Sequence, residues 1–151
     1  MNRDTQSEVR ISTARRGDAV RIAELSGQLG YPTTKRQMAK RLSLVLGDKR
    51  GACFVARKRL GGELVGWVHV STIALLEVER RAEINGLVVD ETIRSRGAGR
   101  LLLKTAEKWA KRLGCKGMSV RSNVIRERAH AFYLKNGYEH YKTQKAFRKK
   151  L

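Results

Sequence analysis

Apolar residues recur along the chain with two periods, and the changes between them mark the elements. Val9 to Thr13 alternates apolar and polar positions, which predicts a strand. Ile22, Leu25 and Leu29 then recur at helical spacing, so a helix runs from a cap at Asp18 to about Leu29. Gly30-Tyr31-Pro32 breaks it, and Thr33 or Thr34 opens a second helix with Met38, Leu42, Val45 and Leu46 on one face. The other face of that helix is basic, with Lys35, Arg36, Lys40 and Arg41. After a loop from Gly47 to Gly51, Cys53 to Ala56 reads as a strand. Leu60-Gly61-Gly62 reads as a hairpin turn, and Leu64 to Val70 as the returning strand. Ile73 to Glu79 fits a loop or a strand end equally well.

The second half alternates element types. Ala82 to Val89 is a strand, nearly all apolar after Glu83. Asn85-Gly86 in its middle is a poor strand dipeptide and predicts a bulge or a close approach by another chain or a ligand. A polar loop from Asp90 to Gly99 leads into the clearest helix, with Leu102, Ala106, Trp109, Ala110 and Leu113 on one face and Gly114 at its end. Met118 to Ser122 is a further strand and Glu127 to Asn136 a short helix closed by Gly137. Tyr138 to Lys142 and Phe147 to Lys149 are expected to form a last antiparallel pair. No repeat, linker or break in composition interrupts this order. The expectation is one mixed α/β domain over residues 1–151, its sheet mostly antiparallel and flanked by helices.

Composition narrows the class. A chain of 151 residues suits one domain and can bury a core without a staple. With 41% hydrophobic residues it is not a disordered basic tail. Met1-Asn2-Arg3-Asp4 lacks the apolar run of a signal peptide, and no stretch approaches the roughly 18–20 apolar residues that span a bilayer. A cytoplasmic protein without a membrane association is expected. Cys53 and Cys115 then read as free thiols. They form no CxxC pair, and His69, His130 and His140 show no ligand spacing, so no metal is expected.

Charge raises the question of partners. Lys and Arg number 33 against 14 Asp and Glu, a net charge of +19. Nucleic acid, an anionic small ligand, an acidic partner and plain solubility all fit that number. The decision has to come from a local site.

Arg94-Ser95-Arg96-Gly97-Ala98-Gly99-Arg100 is such a site. It lies between a buried strand and the start of an amphipathic helix. The first N–H groups of a helix have no intrahelical partner and sit at the positive end of its dipole. Glycines let a phosphate reach the backbone, and three arginines add charge. A pyrophosphate-binding loop is expected. It is neither a Walker loop nor a dinucleotide fingerprint, because both spacings are missing.

Arg94-x-x-Gly97-x-Gly99 resembles the Gln/Arg-x-x-Gly-x-Gly/Ala signature of the GNAT superfamily of acetyl-CoA-dependent N-acetyltransferases. The apolar strand before it, then Ser122-Asn123, Ala129 to Tyr133 and Asn136-Gly137-Tyr138, are similar to that family's later segments. The resemblance covers Ala82 to Leu151; the first half agrees only in element order. It implies a splayed strand pair that receives the coenzyme. Arg94, Arg96, Gly97, Ala98, Gly99 and Arg100 would hold the pyrophosphate, and Leu87, Val88 and Val89 would pair with the pantetheine arm. An N–H near Leu87 or Val88 would hold the thioester oxygen, and Asn123 would touch the arm. Asn85-Gly86 would be the trace of the family's bulge.

The resemblance also implies roles in proton transfer. Tyr133 matches the tyrosine that protonates the leaving coenzyme sulfur, with a phenol near pKa 10 suited to a thiolate. Glu83 stands where several members carry a base, acting directly or through water. Both residues also fit bland readings, Tyr133 as a core aromatic and Glu83 as a surface acid. His130, one turn before Tyr133, is a further candidate for the base or shuttle and reads equally as structural.

The acceptor is less legible. Residues 35 to 60 hold nine Lys or Arg and one acid, Asp48, a surface that repels polycations. A small-molecule amine bearing an anionic group is expected. A protein or peptide amine is the alternative acceptor. The competing class is a basic nucleic-acid-associated binding module, built on Lys35–Arg41, Arg57-Lys58-Arg59 and Lys145 to Lys150. The low aromatic content and the lack of a nucleic-acid motif make it the weaker reading. Family members often dimerise, so a homodimer remains open.

Overall fold

A computed structural model describes residues 8–94 and 96–151. The expectations for Met1 to Asp4, and Ser95 within the glycine loop, lie outside the described residues. The chain divides into two compact units, the first ending at Arg121 and the second running from Ser122 to Leu151.

The first unit is a five-stranded sheet with helices on it. Its strands are β1 (Val9–Thr13), β2 (Gly51–Lys58), β3 (Leu64–Ile73), β4 (Arg81–Val89) and β5 (Met118–Val120), in that order across the sheet. The first four pair antiparallel, and β4 pairs with β5 in parallel. Two helices, α1 (Ala19–Gln28) and α2 (Lys35–Leu46), connect β1 to β2. A third, α3 (Ala98–Arg112), connects β4 to β5.

The period-2 pattern of the strands sorts their side chains onto two faces. Cys53, Val55, Leu64 and Val88 bury themselves against Ile22 and Leu25 of α1 and Leu42 of α2. Leu102 of α3 instead reaches the sheet at Gly66, where an added Cβ would lie 3.1 Å from its Cδ1. Leu25, Leu102, Leu103, Val55, Val65, Val68 and Val70 are fully buried. Each such side chain stabilises the fold by roughly 1.5–3 kcal/mol.

Local chemistry explains the helix starts. Thr34 caps α2, its hydroxyl accepting from Gln37 N–H while the Gln37 side chain accepts from Thr34 N–H. Asp18 departs from expectation. Its carboxylate accepts from Arg15 N–H, closing a 3₁₀ turn over Arg16–Asp18 ahead of α1, and it makes a buried ion pair with Arg57. Asp18 is thus spent on tying α1's start to β2, rather than on capping α1's first N–H groups.

Strand limits moved as well. Gly51 opens β2, where a loop was expected, and β3 runs through Ile73, which resolves the start of the ambiguous segment as strand. Gly61 and Gly62 take positive φ in the hairpin turn as expected. Both cysteines are free thiols, and burial pushes that of Cys53 up to about 12. No helix among the described residues is long and apolar enough to cross a membrane.

The second unit holds helix α4 (Glu127–Lys135), ended by Asn136 and by Gly137 at positive φ. The antiparallel pair expected over Tyr138–Lys142 and Phe147–Lys149 is a correction, since residues 138–151 form no strand. The reason is visible in their exposure. Tyr141 and Phe147 face solvent at 65% and 90%, so no apolar side is available to bury. Lys142, Lys145, Arg148, Lys149 and Lys150 repel one another. A two-stranded ribbon with neither help is marginal.

Candidate active site

The bulge expected at Asn85-Gly86 is present. Opposite β3, His69 faces Gly86 and Val70 faces Ile84, which leaves Asn85 as the extra residue. This insertion decides which backbone groups of β4 are available. Before it, Ala82 N–H points to β5 and donates to Gly117 O. After it, Asp90 N–H donates to Val65 O, making Asp90 and Val65 a hydrogen-bonded pair. Bonded and non-bonded pairs alternate in an antiparallel ladder. Gly86 and Val88 therefore bond to β3, while Leu87 and Val89 turn their N–H and C=O groups to the opposite edge.

That edge is open. β5 pairs with β4 only over Ala82, Glu83 and Ile84, so beyond the bulge the two strands part. The Arg94 guanidinium donates to the outward Val89 carbonyl at 3.3 Å, which agrees with the derived direction. Of the two residues expected at the thioester oxygen, Leu87 directs its N–H to the open edge and Val88 spends its N–H on the ladder.

Gly86 has a second role. A Cβ there would lie 2.7 and 2.8 Å from two carbons of the Trp67 ring. The close approach suggested by the dipeptide is thus made by Trp67, whose indole lies over the bulge. Its Nε1 is buried with no hydrogen-bond partner.

The open edge leads directly to the glycine loop. Gly97 is the N-cap of α3 with φ 88°, a left-handed conformation that costs other residues strain, and no side chain caps the helix. The N–H groups of Ala98, Gly99 and Arg100 thereby lack intrahelical acceptors, and no acid sits in the first turn. Arg96 meets Glu8 at 3.5 Å, and Arg94 meets Glu91 at 3.7 Å. Arg100 is exposed and has no ion pair among the described residues.

On the α1/α2 face, Ser71, Glu83 and Ser119 form one row across β3, β4 and β5. Glu83 is buried, and its Oε1 lies 3.4 Å from Arg121 Nε. Asn85 donates to the Ser71 hydroxyl at 2.7 Å, which ties the bulge to this row. The Ser119 hydroxyl is buried without a partner. Beside the row, Leu44, Val45, Asp48, Arg50, Gly51, His69, Ser71 and Thr72 line a cavity of about 280 Å³.

Residues 21–138 match the Acetyltransferase (GNAT) family. The chain belongs to this family and is an N-acetyltransferase. A relative from Bacillus subtilis (strain 168), the uncharacterized N-acetyltransferase YhfO, is 28% identical over 136 residues, covering 85% of this chain and 89% of its own. The aminoglycoside N-acetyltransferase AAC(6')-Iy, solved with CoA, superposes with a TM-score of 0.85 at 17% identity, over 98% of this chain and 99% of its own. A putative acetyltransferase from Agrobacterium tumefaciens gives 0.81 at 23% identity, over 93% and 99%. These two likenesses show the fold.

The acetyltransferase carries its other two expected residues in the second unit. Tyr133 is packed edge-on between Phe132 and Tyr138, with ring centroids 5.2 and 5.6 Å away. Burial pushes its phenol up to about 12, above the ordinary value assumed from sequence. Asn123 Oδ1 accepts from Ile125 N–H, and its backbone carbonyl meets His130 Nε2 at 2.9 Å. That contact gives His130 a structural use at the start of α4.

Ser71, Ser119, Arg121, Arg50 and Thr72 were not singled out by sequence. They come from β3, β5 and the positions flanking β2 and β5, and converge through strand register, which no local spacing records. The basic run Arg57-Lys58-Arg59 also changes meaning. Arg57 pairs with Asp18, and Lys58 Nζ lies 3.1 Å from Glu63, so these charges serve the fold.

Proposed function

We propose that this acetyltransferase moves the acetyl group of acetyl-CoA to the primary amine of a small anionic or zwitterionic molecule by direct attack, as one catalytic domain over both units. The observation that carries the coenzyme reading is the turned edge of β4. The bulge presents the Leu87 and Val89 backbone to an added strand-like arm, and the same strand runs on to the Gly97 turn and the bare N-terminus of α3. An extended amide-bearing chain with a pyrophosphate at one end fits that sequence of donors.

In this reading Leu87 and Val89 pair with the pantetheine amides, and Val88 anchors the strand in the core. The N–H groups of Gly97, Ala98, Gly99 and Arg100, with the Arg94, Arg96 and Arg100 side chains, hold the pyrophosphate. The Leu87 N–H stabilises the thioester oxygen as it becomes negative. The family resemblance assigns Asn123 to the arm and Tyr133 to giving its proton to the departing thiolate. A phenol near 12 keeps that proton at any physiological pH. Glu83, buried beside Arg121, is the carboxylate toward which the acceptor's ammonium is drawn, directly or through water.

The acceptor class rests on charge. Aminoglycosides are polycations, and the α2 to β2 region of this chain is strongly basic. Calorimetry with acetyl-CoA, followed by a thiol-release screen over anionic, neutral and polycationic amines, tests both halves. Absence of coenzyme binding by the wild type contradicts the whole reading. Turnover of kanamycin alone contradicts the acceptor class.

A further inference from the structure

The cavity on the α1/α2 face has contents that the proposed chemistry has not yet used. His69 on β3 lines it, half-buried, with its Nε2 beside Gly51. His69 has no hydrogen-bond or charge partner among the described residues. An imidazole on a cavity wall with no protein partner keeps its ring nitrogens for whatever enters the cavity. Its place is informative. Across β4 it faces Gly86, next to Leu87 at the open edge, and strands lie roughly 5 Å apart. Ser71 and Glu83 form the adjoining rung on the same face.

The walls carry one charge of each sign. Asp48 fixes Arg50 through its Nε at 3.2 Å and one Nη at 3.1 Å, leaving the other Nη of the fork for a ligand at the rim. Leu44 and Val45 close the remaining side with apolar surface. A volume near 280 Å³ accommodates a small molecule. Such a lining fits a zwitterion, with an ammonium inward and an anionic group at Arg50.

Resting on the acetyl-CoA reading, we propose that this cavity receives the acceptor and that His69, rather than Glu83, takes the proton from its ammonium. Glu83 already has Arg121 as its counter-ion, whereas His69 has none. The groups facing the imidazole are the Cys53 thiol across β2, Asp48 and Arg50 in the wall, and Ser71, Thr72 and Glu83 toward the bulge. Burial lowers the imidazole pKa below its ordinary value, so it stands neutral and ready to accept at physiological pH. The balance is simple. R–NH₃⁺ gives one proton to His69 Nε2, which passes it to solvent. The amine then attacks, the C–N bond forms and the C–S bond breaks. The nitrogen's second proton is matched by the one the thiolate gains. One proton is released per turnover.

The test uses thiol release with acetyl-CoA and β-alanine, 2-aminoethylphosphonate or kanamycin, over pH 5–9, for wild type, His69→Gln, His69→Ala and Glu83→Gln. Calorimetry with acetyl-CoA is run on each protein first. The wild type is expected to favour an anionic amine and to lose kcat/KM only on the acid side of the ordinary imidazole range, as the shifted imidazole protonates. His69→Gln should bind acetyl-CoA normally, lose about 30-fold or more in kcat/KM at pH 7, and rise tenfold per pH unit as free amine accumulates. Added imidazole should restore turnover to His69→Ala, which a merely structural role would not allow. Glu83→Gln, which removes the carboxylate that draws the ammonium and so lowers the rate, should still show its acidic limb at the same pH as the wild type. An unchanged profile in His69→Gln, or loss of that limb in Glu83→Gln alone, overturns the proposal. So does coenzyme binding without acetylation of either anionic amine. Failure of the wild type to bind acetyl-CoA overturns the underlying reading instead.

Discussion

The proposed coenzyme side and the proposed acceptor side of this molecule are built from different materials. On the coenzyme side the working groups are backbone N–H and C=O, exposed by a bulge, a parted strand and a left-handed glycine. On the acceptor side they are side chains, His69, Ser71, Glu83 and Arg50, brought together by strand register from distant parts of the chain. Backbone sites depend on a few residues that permit a conformation, and these sit close together in sequence. Side-chain sites depend on what else faces the same way. The first kind tolerates drift in most of its residues, whereas the second can change specificity by a single substitution.

The largest predicted effect comes from breaking the backbone side. Deleting Asn85 lets Gly86 follow Ile84 in a regular ladder, so Leu87 and Val89 keep their outward direction but the local bend where β4 parts from β5 is lost. Acetyl-CoA binding should fall below detection by calorimetry while circular dichroism still shows a folded protein. Retained affinity would mean the bend at the bulge is not what opens the edge to the coenzyme. Next, Tyr133→Phe should lower kcat about 100-fold and leave coenzyme affinity unchanged. A wild-type rate in that variant removes the phenol from the chemistry.

Smaller effects sharpen the contrast. Gly86→Ala drives a Cβ into the Trp67 ring, and such overpacking costs about 1–3 kcal/mol. Urea melts should show that loss in Gly86→Ala and most of it recovered in the double variant with Trp67→Leu. Additive losses would show that Trp67 is not what Gly86 accommodates. The smallest effect concerns the frame shared by both sides. The Thr92 N–H and Arg21 hold the Asp90 carboxyl below the usual carboxylate range. Asp90→Asn should therefore cost about 1–2 kcal/mol at neutral pH. A depressed folded pKa stabilises above the unfolded value, so the gap to wild type should close as pH falls below about 4 through Asp90's own pKa. A gap that persists into strong acid would point to packing instead of charge.

The same division explains what could be read from the chain. The order of helices and strands through Gly137, the bulge at Asn85-Gly86 and the Gly97 loop were all legible, because each is a local pattern of polarity or backbone freedom. The charges misled. Arg57 and Lys58 looked like a surface for phosphates, yet Asp18 and Glu63 take them up; Asp18 lies far off in sequence, and Glu63 stands across the hairpin turn from Lys58. The tail beyond Tyr138 failed as a hairpin because alternation alone gives no strand when neither face is buried. His69 drew notice only as a poor metal ligand. Its meaning comes from standing across the sheet from Gly86 and beside the α2 to β2 turn, and both neighbours are long-range.

The central claim is that, beyond the bulge, β4 turns Leu87 and Val89 outward to receive the coenzyme arm. Amide hydrogen exchange, read residue by residue with and without acetyl-CoA, addresses it directly. In the free protein Gly86 and Val88 should exchange slowly and Leu87 and Val89 quickly, and saturating acetyl-CoA should protect Leu87 and Val89 at least tenfold while Val88 stays as it was. Slow exchange at Leu87 and Val89 before coenzyme is added, or no added protection at either once it is bound, would contradict the account.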